Sequence, residues 1–276
     1  MGLRISTNVA SQTVQKNLRQ VTAGGKDSLE KLSSGKRITK ASDDAAGLAI
    51  AKNLEASTKG LRAATRNAND GISLVQTAEG GLNETSNILT RLRELTVQAA
   101  SDTIGDSERG FLDKEYQQLT TEVDRIAQST SFNGSNLLNG EGDEKDIQVG
   151  ATDGEQNRIT FDGSQTDATA DSIGIGGTGV SSKDDALSSM AEIDSAIENV
   201  SGQRADLGSI QSRLQSTVSN LEIQTLNQDA ARSMIEDVDV AQESAKMASN
   251  NVIKQAGIAT LAQANSIPNA AMRLVG

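Results

Sequence analysis

The stretch LEASTKGLRAATRNANDGISLVQTAEGGLNETSNIL, residues 54–89, decides the fold. Apolar residues recur in it every seven positions, which is the spacing of a seam along one face of a long α-helix. The chain contains a single proline, Pro268, so no helix-breaking residue interrupts this pattern. We therefore predict one long helix over residues 44–100. The members of this first seam are Leu54, Leu61, Ala68, Val75, Leu82 and Leu89.

A second seam with the same spacing lies far along the chain and predicts a second long helix. Two seams of equal length favour each other as packing partners in a helical rod. A third amphipathic stretch, residues 106–129, is predicted to complete a small bundle. The second seam consists of Ala186, Ile193, Val200, Leu207, Leu214 and Leu221, and the third stretch carries Leu112, Leu119, Val123 and Ile126.

Both chain ends carry narrower apolar stripes rich in small residues. Such stripes bury too little surface to hold an isolated helix in water, so each terminal helix is predicted to need the other and neighbouring copies as packing partners. The repeat near the end of the chain is expected to stop at Pro268. The predicted assembly residues are Val14, Leu18 and Val21 at the beginning, and Val238, Ala245, Val252 and Ala259 at the end.

The middle of the chain, residues 139–185, is rich in glycine and aspartate. The segments DIQVG and NRITFDG alternate well enough to predict two short strands, and the remainder is predicted to be solvated loop. GIGGTG, residues 174–179, matches a dinucleotide-binding pattern, but it lacks the flanking strand and helix that such a site requires. We interpret it as a flexible turn.

These patterns predict a mainly α fold: a long antiparallel helical coiled-coil or bundle rod formed by both chain ends, with a small β-hairpin region in the middle. Only 36% of the residues are hydrophobic and 1% are aromatic, which favours thin helical bundles over a thick core. The predicted domains are an inner helix and spoke (1–43), two parts of a rod (44–138 and 186–235), the glycine-rich insert (139–185) and a second inner helix (236–276).

Composition excludes several functional classes. The chain contains neither cysteine nor histidine, which removes disulfides, thiolate nucleophiles, Ser-His dyads and the usual zinc and haem ligands. A carboxylate pair, a Ser-Lys dyad or a carboxylate-only metal site stays open, but no such cluster stands out. We predict no catalytic residue, no cofactor and no metal, and therefore no enzyme.

Charge and hydropathy bear on the partners. The net charge is −11, which argues against nucleic acid. Residues 1–43 are nevertheless basic, with eight Lys and Arg against three Asp and Glu, and another copy of the chain best explains this arm. No apolar run is long enough for a membrane span or a secretory signal, so neither membrane insertion nor a cleaved signal peptide is expected.

The stretch LEKLSSGKRITKASDDAAGLAIAKNLEAS, residues 29–57, has three competing interpretations: a phosphate-binding loop, an acid/base site formed by the aspartates, and a join between two helices. Lys36 follows a glycine, as in a phosphate-binding loop, but Arg37 replaces the required Ser or Thr and the first glycine of the motif is missing. Asp43 and Asp44 stand where a helix would begin, which is typical of capping carboxylates. We interpret the stretch as a join: a helix, a basic turn and a capped helix.

The same stretch is part of a wider resemblance. Together with RISTNVASQTVQKNL, GISLVQTAEGGLNETSNILTRLRELTVQAA, SFNGSNLLNG and DVDVAQESAKMASNNVIKQAGIATLAQANSIP, it is similar to the corresponding stretches of bacterial flagellins of the short-insert type. The resemblance covers most of residues 1–140 and 186–268. It implies terminal helices paired in a filament core, a spoke at residues Lys36, Arg37, Asp43 and Asp44, and a homopolymer that serves swimming motility.

The resemblance also implies partners and a location. These are the flagellar export apparatus, a flagellin chaperone, the filament cap and hook-junction proteins, with the chain exported to the extracellular filament of the bacterial flagellum. In family members that vertebrate Toll-like receptors detect, the contact residues look like Arg91, Leu95 and Glu115. The alternative within the same family is a hook-filament junction protein, which shares the terminal helices but is made in few copies.

Overall fold

The computed structural model describes residues 7–275, and it describes side chains for residues 7–266. Between α3 and α4 lie four short strands and one 3-10 turn, Glu155–Asn157. The predicted mainly α fold with a small β region is confirmed, and α3 covers the predicted range. Within the described range the helices are α1 (Val9–Ser34), α2 (Ala45–Ala99), α3 (Asp106–Ser129), α4 (Lys183–Glu236) and α5 (Val240–Val275), and the strands are β1 (Ser131–Phe132), β2 (Ser135–Asn136), β3 (Glu144–Gln148) and β4 (Arg158–Asp162).

The chain folds into two compact units. The central unit comprises Ser57–Leu226, and the terminal unit combines the residues before and after that range. Helices α2 and α4 contribute residues to both units. The unit boundaries therefore fall inside these two helices, whereas the predicted domain ranges divide the chain near helix ends. Those ranges remain a prediction.

The central unit is built around the two seams. Leu61, Leu82 and Leu89 of α2 and Leu207 and Leu214 of α4 are buried, as are the other seam positions within this unit. Near one end of the pair Leu61 packs in a cluster with Leu221, and near the other end the Arg93 guanidinium binds the Asp194 carboxylate. The two helices therefore run antiparallel. Leu54 belongs to the terminal unit and is half-buried.

The β3–β4 hairpin packs on α2. It pairs antiparallel with Ile147 opposite Ile159, and both isoleucines are buried. Gly71 of α2 makes this approach possible, because a Cβ atom there would lie 2.6 Å from Cδ1 of Ile147. The Asn67 amide adds a hydrogen bond of 3.1 Å to the carbonyl oxygen of Gln148. The absence of a side chain at Gly71 thus provides the hairpin's docking site on α2.

The prediction of a solvated, flexible loop before α4 is wrong for residues 166–180. Ile175 and Val180 are fully buried in the core of the central unit. The Gln117 amide donates to the carbonyl oxygen of Thr178 at 2.9 Å, and Asp113 accepts from the Val180 N–H at 2.9 Å. The buried residues alternate with Gly, Asp and Thr. Because of these polar neighbours, the sequence pattern predicted a solvated loop.

Candidate assembly surface

The terminal unit contains an antiparallel pair of helices, α1 and α5. Leu18 packs against Gly257, where an added Cβ would lie 3.3 Å from Cδ1 of Leu18, and Gly24 lies beside Asn250 at 3.5 Å by the same measure. Small residues on both helices therefore allow close approach. The predicted assembly residues of α1, which are Val14, Leu18 and Val21, are half-buried.

The predicted stripe of α5 faces elsewhere. Val238 is half-buried, but Ala245, Val252 and Ala259 are exposed. The positions turned toward α1 are instead Glu243, Asn250, Gly257 and Ala264, which also recur every seven residues. The sequence pattern did not indicate that a second, more polar stripe of α5 forms the contact with α1, and the assembly role of the predicted stripe stays a prediction.

The helix pair also presents large apolar side chains to solvent, and we call this set of exposed residues the outer apolar face. The valine side chain at position 252 is 67% exposed. The large residues of this face in the described range are Val9 and Leu29 on α1, and Val240, Val252, Ile253 and Ile258 on α5.

The two ends of the pair are secured differently. At one end, the Asn8 amide nitrogen donates to the carbonyl oxygen of Ala264 at 2.8 Å, while its amide oxygen caps α1 by accepting from the Ser11 N–H at 3.0 Å. The Ser11 hydroxyl donates to Asn265 at 2.8 Å. Helix α5 continues beyond this point to Val275, so the expectation that the pattern stops at Pro268 is wrong for the backbone.

At the other end, the chain leaves α1 through the predicted spoke. Gly35 has φ 71°, the left-handed region that suits glycine, and Lys36 forms an isolated antiparallel bridge with Asp237. The Arg37 N–H donates to the carbonyl oxygen of Glu236 at 2.7 Å. Lys36 also binds the Glu236 carboxylate, which is buried. The basic residues of the turn thus tie α1 to the end of α4.

The two aspartates have separate tasks. Asp43 Oδ2 accepts from the backbone N–H groups of Thr39 and Lys40 at 3.0 Å each, and these bonds lower the pKa of Asp43. Asp44 accepts from the Gly47 N–H at 2.8 Å, which caps the first turn of α2. Ile38, between them and the bridge, is buried, so the turn packs as an ordered structure.

The residues that the resemblance assigns to receptor contact do not share one surface. Arg91 and Glu115 are exposed and joined by hydrogen bonds of 3.0 and 2.8 Å. Leu95 does not lie beside them on that surface, because its side chain is fully buried in the core of the central unit. Its position three residues after Leu92 places it on the packed side of α2.

Two further features complete the description. Across residues 7–275, none of the helices has the length and apolar character needed to cross a bilayer. Among the side chains that the structure describes, no group of three or more acidic residues converges on a space for a metal ion.

Comparison with known proteins identifies the family. The family model for the bacterial flagellin N-terminal helical region matches residues 5–143, and the one for the C-terminal helical region matches residues 190–275. The chain belongs to the bacterial flagellin family. The two matches include both helices of the terminal pair and stop on either side of residues 144–189, where the β3–β4 hairpin and the packed loop lie.

Individual flagellins agree with this assignment. A flagellin of Halalkalibacterium halodurans is 40% identical over 271 residues, covering 98% of this chain and 99% of the relative. A flagellin of Bacillus subtilis is 37% identical over 307 residues, covering 99% and 100%. The crystal structure of Bacillus cereus flagellin is 34% identical with a TM-score of 0.51, covering 56% of this chain and 88% of that one. The predicted resemblance is confirmed.

Proposed function

We propose that this chain is the structural subunit of an extracellular bacterial flagellar filament that serves swimming motility. Many copies associate head to tail and side by side, since heterologous contacts that do not close generate open helical polymers. The terminal helices become fully ordered only when neighbouring copies cover them, so that assembly supplies the core that each chain lacks.

One observation carries this proposal: the terminal unit has almost no apolar core of its own. Among its described side chains, the buried apolar residues are Ile38, Ala51 and Ala264, and two of these are alanines. Burial of a large aliphatic side chain contributes ~1.5–3 kcal/mol, and of these three residues only Ile38 is large. The outer apolar face offers the missing area, provided that another copy packs on it.

The experiment is removal of one terminal helix. A chain lacking residues 1–43 should retain the central unit, whose buried seams lie entirely in Ser57–Leu226, and should stay monomeric when mixed with filament seeds. The full chain serves as control and should extend the same seeds. Normal filaments from the shortened chain would contradict the coupled-ordering mechanism. A full chain that occurs in only a few copies per sheared filament would favour the hook-filament junction alternative.

The remaining partners follow from the same proposal. Export apparatus, chaperone, filament cap and hook-junction proteins would all meet the chain before or during assembly. A vertebrate Toll-like receptor would meet free monomers, and the exposed Arg91–Glu115 pair supports such a contact on the central unit. Arg91→Ala should then weaken a receptor reporter response, and an unchanged response would remove this partner without affecting the filament role.

A further inference from the structure

The contact between Asn8 and Ala264 has an unusual cause. In an α-helix each carbonyl oxygen accepts from the N–H four residues later, so the partner of Ala264 should be residue 268. That residue is Pro268, which has no backbone N–H, although α5 continues to Val275. The Ala264 carbonyl is therefore free within its own helix, and Asn8 of α1 donates to it at 2.8 Å.

The carbonyl of Ala264 differs from the other interior carbonyls of α5. Pro268 is the only proline of the chain, so no other interior carbonyl of α5 loses its helical partner in this way. Ala264 is buried, and a buried carbonyl without a hydrogen bond is costly. In the observed alignment the Asn8 amide satisfies it without water.

The other contacts between α1 and α5 are compatible with more than one alignment of the two helices. The facing positions repeat by seven on both helices, with Val14, Val21 and Ser28 on α1 and Asn250 and Gly257 among those on α5. A shift by seven residues, ~10 Å along the axis, would leave a similar set of small and apolar residues in contact. At the opposite end, the Lys36–Asp237 bridge and the backbone hydrogen bonds from Arg37 N–H to Glu236 and from Val238 N–H to Gly35 hold the helices, so Asn8 acts at the end that these bonds do not reach.

We propose that Asn8 is the positioning residue that fixes the register of α1 against α5 at this end, by binding the one carbonyl that Pro268 frees. Both atoms of its amide are committed, because Oδ1 caps α1 while Nδ2 binds Ala264. The inference rests on the proposed function, since the register determines how the outer apolar face is presented to the next subunit.

A double-mutant cycle on the full chain tests this role. Asn8→Asp keeps an acceptor for the helix cap but cannot donate to the Ala264 carbonyl, so it should raise the critical concentration for seeded polymerisation by on the order of tenfold. Pro268→Ala restores the N–H within α5. In that background Asn8→Asp should change the critical concentration by less than about twofold, because coupled residues are non-additive.

Cross-linking then measures the register directly, because the chain has no cysteine of its own. The matched pair Leu18→Cys/Gly257→Cys reports the observed alignment, and Leu18→Cys/Asn250→Cys reports a shift by seven residues. Each is co-assembled as a small minority with wild-type subunits and treated with a short thiol cross-linker. This dilution keeps the filament intact even where a variant alone does not assemble, and the linkage stays within one chain.

With Asn8 and Pro268 present, only the matched pair should cross-link, whereas Asn8→Asp or Pro268→Ala should make the shifted pair react as well. Equal effects of Asn8→Asp in both backgrounds, together with cross-linking confined to the matched pair in every variant, would overturn the positioning role. Failure of the wild-type chain to extend seeds would instead overturn the proposed function.

Discussion

At the scale of single residues, Asp43 shows how a short polar side chain stabilises the crossing turn. Its carboxylate accepts two backbone hydrogen bonds, from Thr39 and Lys40, and a third from the Thr39 hydroxyl. Hydrogen bonds to the ionised form lower a carboxyl pKa, and the pKa of Asp43 lies below its ordinary value for this reason. The same bonds hold the backbone in the conformation that leads into α2.

The lowered pKa of Asp43 predicts that the turn loses stability as the pH falls. Because the folded pKa is lower than the unfolded one, ionised Asp43 stabilises the turn above the unfolded pKa, about 3.9, and this contribution is lost as the pH falls through the folded value. Asp43→Asn should remove that part of the pH dependence. Circular dichroism of filaments titrated from neutral pH into acid would measure it.

The matched control is Asp70→Asn, which changes an exposed carboxylate on α2. It should leave the acid midpoint unchanged. Identical acid midpoints for wild type, Asp43→Asn and the control would show that the turn does not depend on the ionised carboxylate.

At the scale of secondary structure, the two long helices of the central unit were predictable because their seams are nearly complete. Seven-residue spacing alone identified α2, α4 and their mutual packing. The β1–β2 hairpin was missed, although Asn133 and Gly134 adopt positive φ values between its strands. Asn-Gly is a strong signal for such a turn, but strands of two residues show no alternation by which to recognise them.

The terminal helices could be predicted only in part for a different reason. Their apolar stripe at Val252 was visible in the sequence, but the contact that α5 makes with α1 uses Gly257, Asn250 and Glu243. Periodicity identifies which residues share a face, but it does not identify the partner against which that face packs. The burial of Ile175 in the packed loop was not predicted, because the residues of a loop follow no regular spacing.

Burial along α4 gives a paired prediction. Leu207 is 1% exposed in the seam, whereas Leu226 on the same helix is 70% exposed. Leu207→Ala should lower the free energy of unfolding by ~2–5 kcal/mol, since it removes buried methyl groups and leaves a cavity. Leu226→Ala should change it by less than ~0.5 kcal/mol. Urea unfolding of the monomer followed by circular dichroism compares the two, and equal losses would refute the assignment of the seam.

Substitutions on the outer apolar face are expected to weaken assembly without lowering the stability of the monomer. Val252→Asp places a charge on an exposed position of α5, so monomer stability should be nearly unchanged while seeded polymerisation is abolished, because a buried unpaired carboxylate is strongly unfavourable. Val252→Thr is the isosteric control and should still polymerise at a raised critical concentration. If the aspartate variant assembled as well as wild type, this face would not lie between subunits. Light scattering and pelleting measure both variants.

At the scale of the whole molecule, the two units differ in how much apolar surface each one buries. The central unit contains an extensive core with Leu82, Leu89 and Tyr116 fully buried, so we expect it to fold without a partner. The terminal unit has a polar contact between its helices and an apolar face toward solvent. Under the proposed function, such a division would keep the subunit monomeric until a growing filament end offers the complementary surface.

The most direct test of this account is electron microscopy of the purified full chain mixed with short filament seeds. Negative staining should reveal long tubes growing from the seed ends, while circular dichroism of the monomer should give less helix than the assembled filament. A chain that stays monomeric with seeds present, and whose terminal helices are already fully formed in solution, would contradict the claim that assembly supplies the missing core.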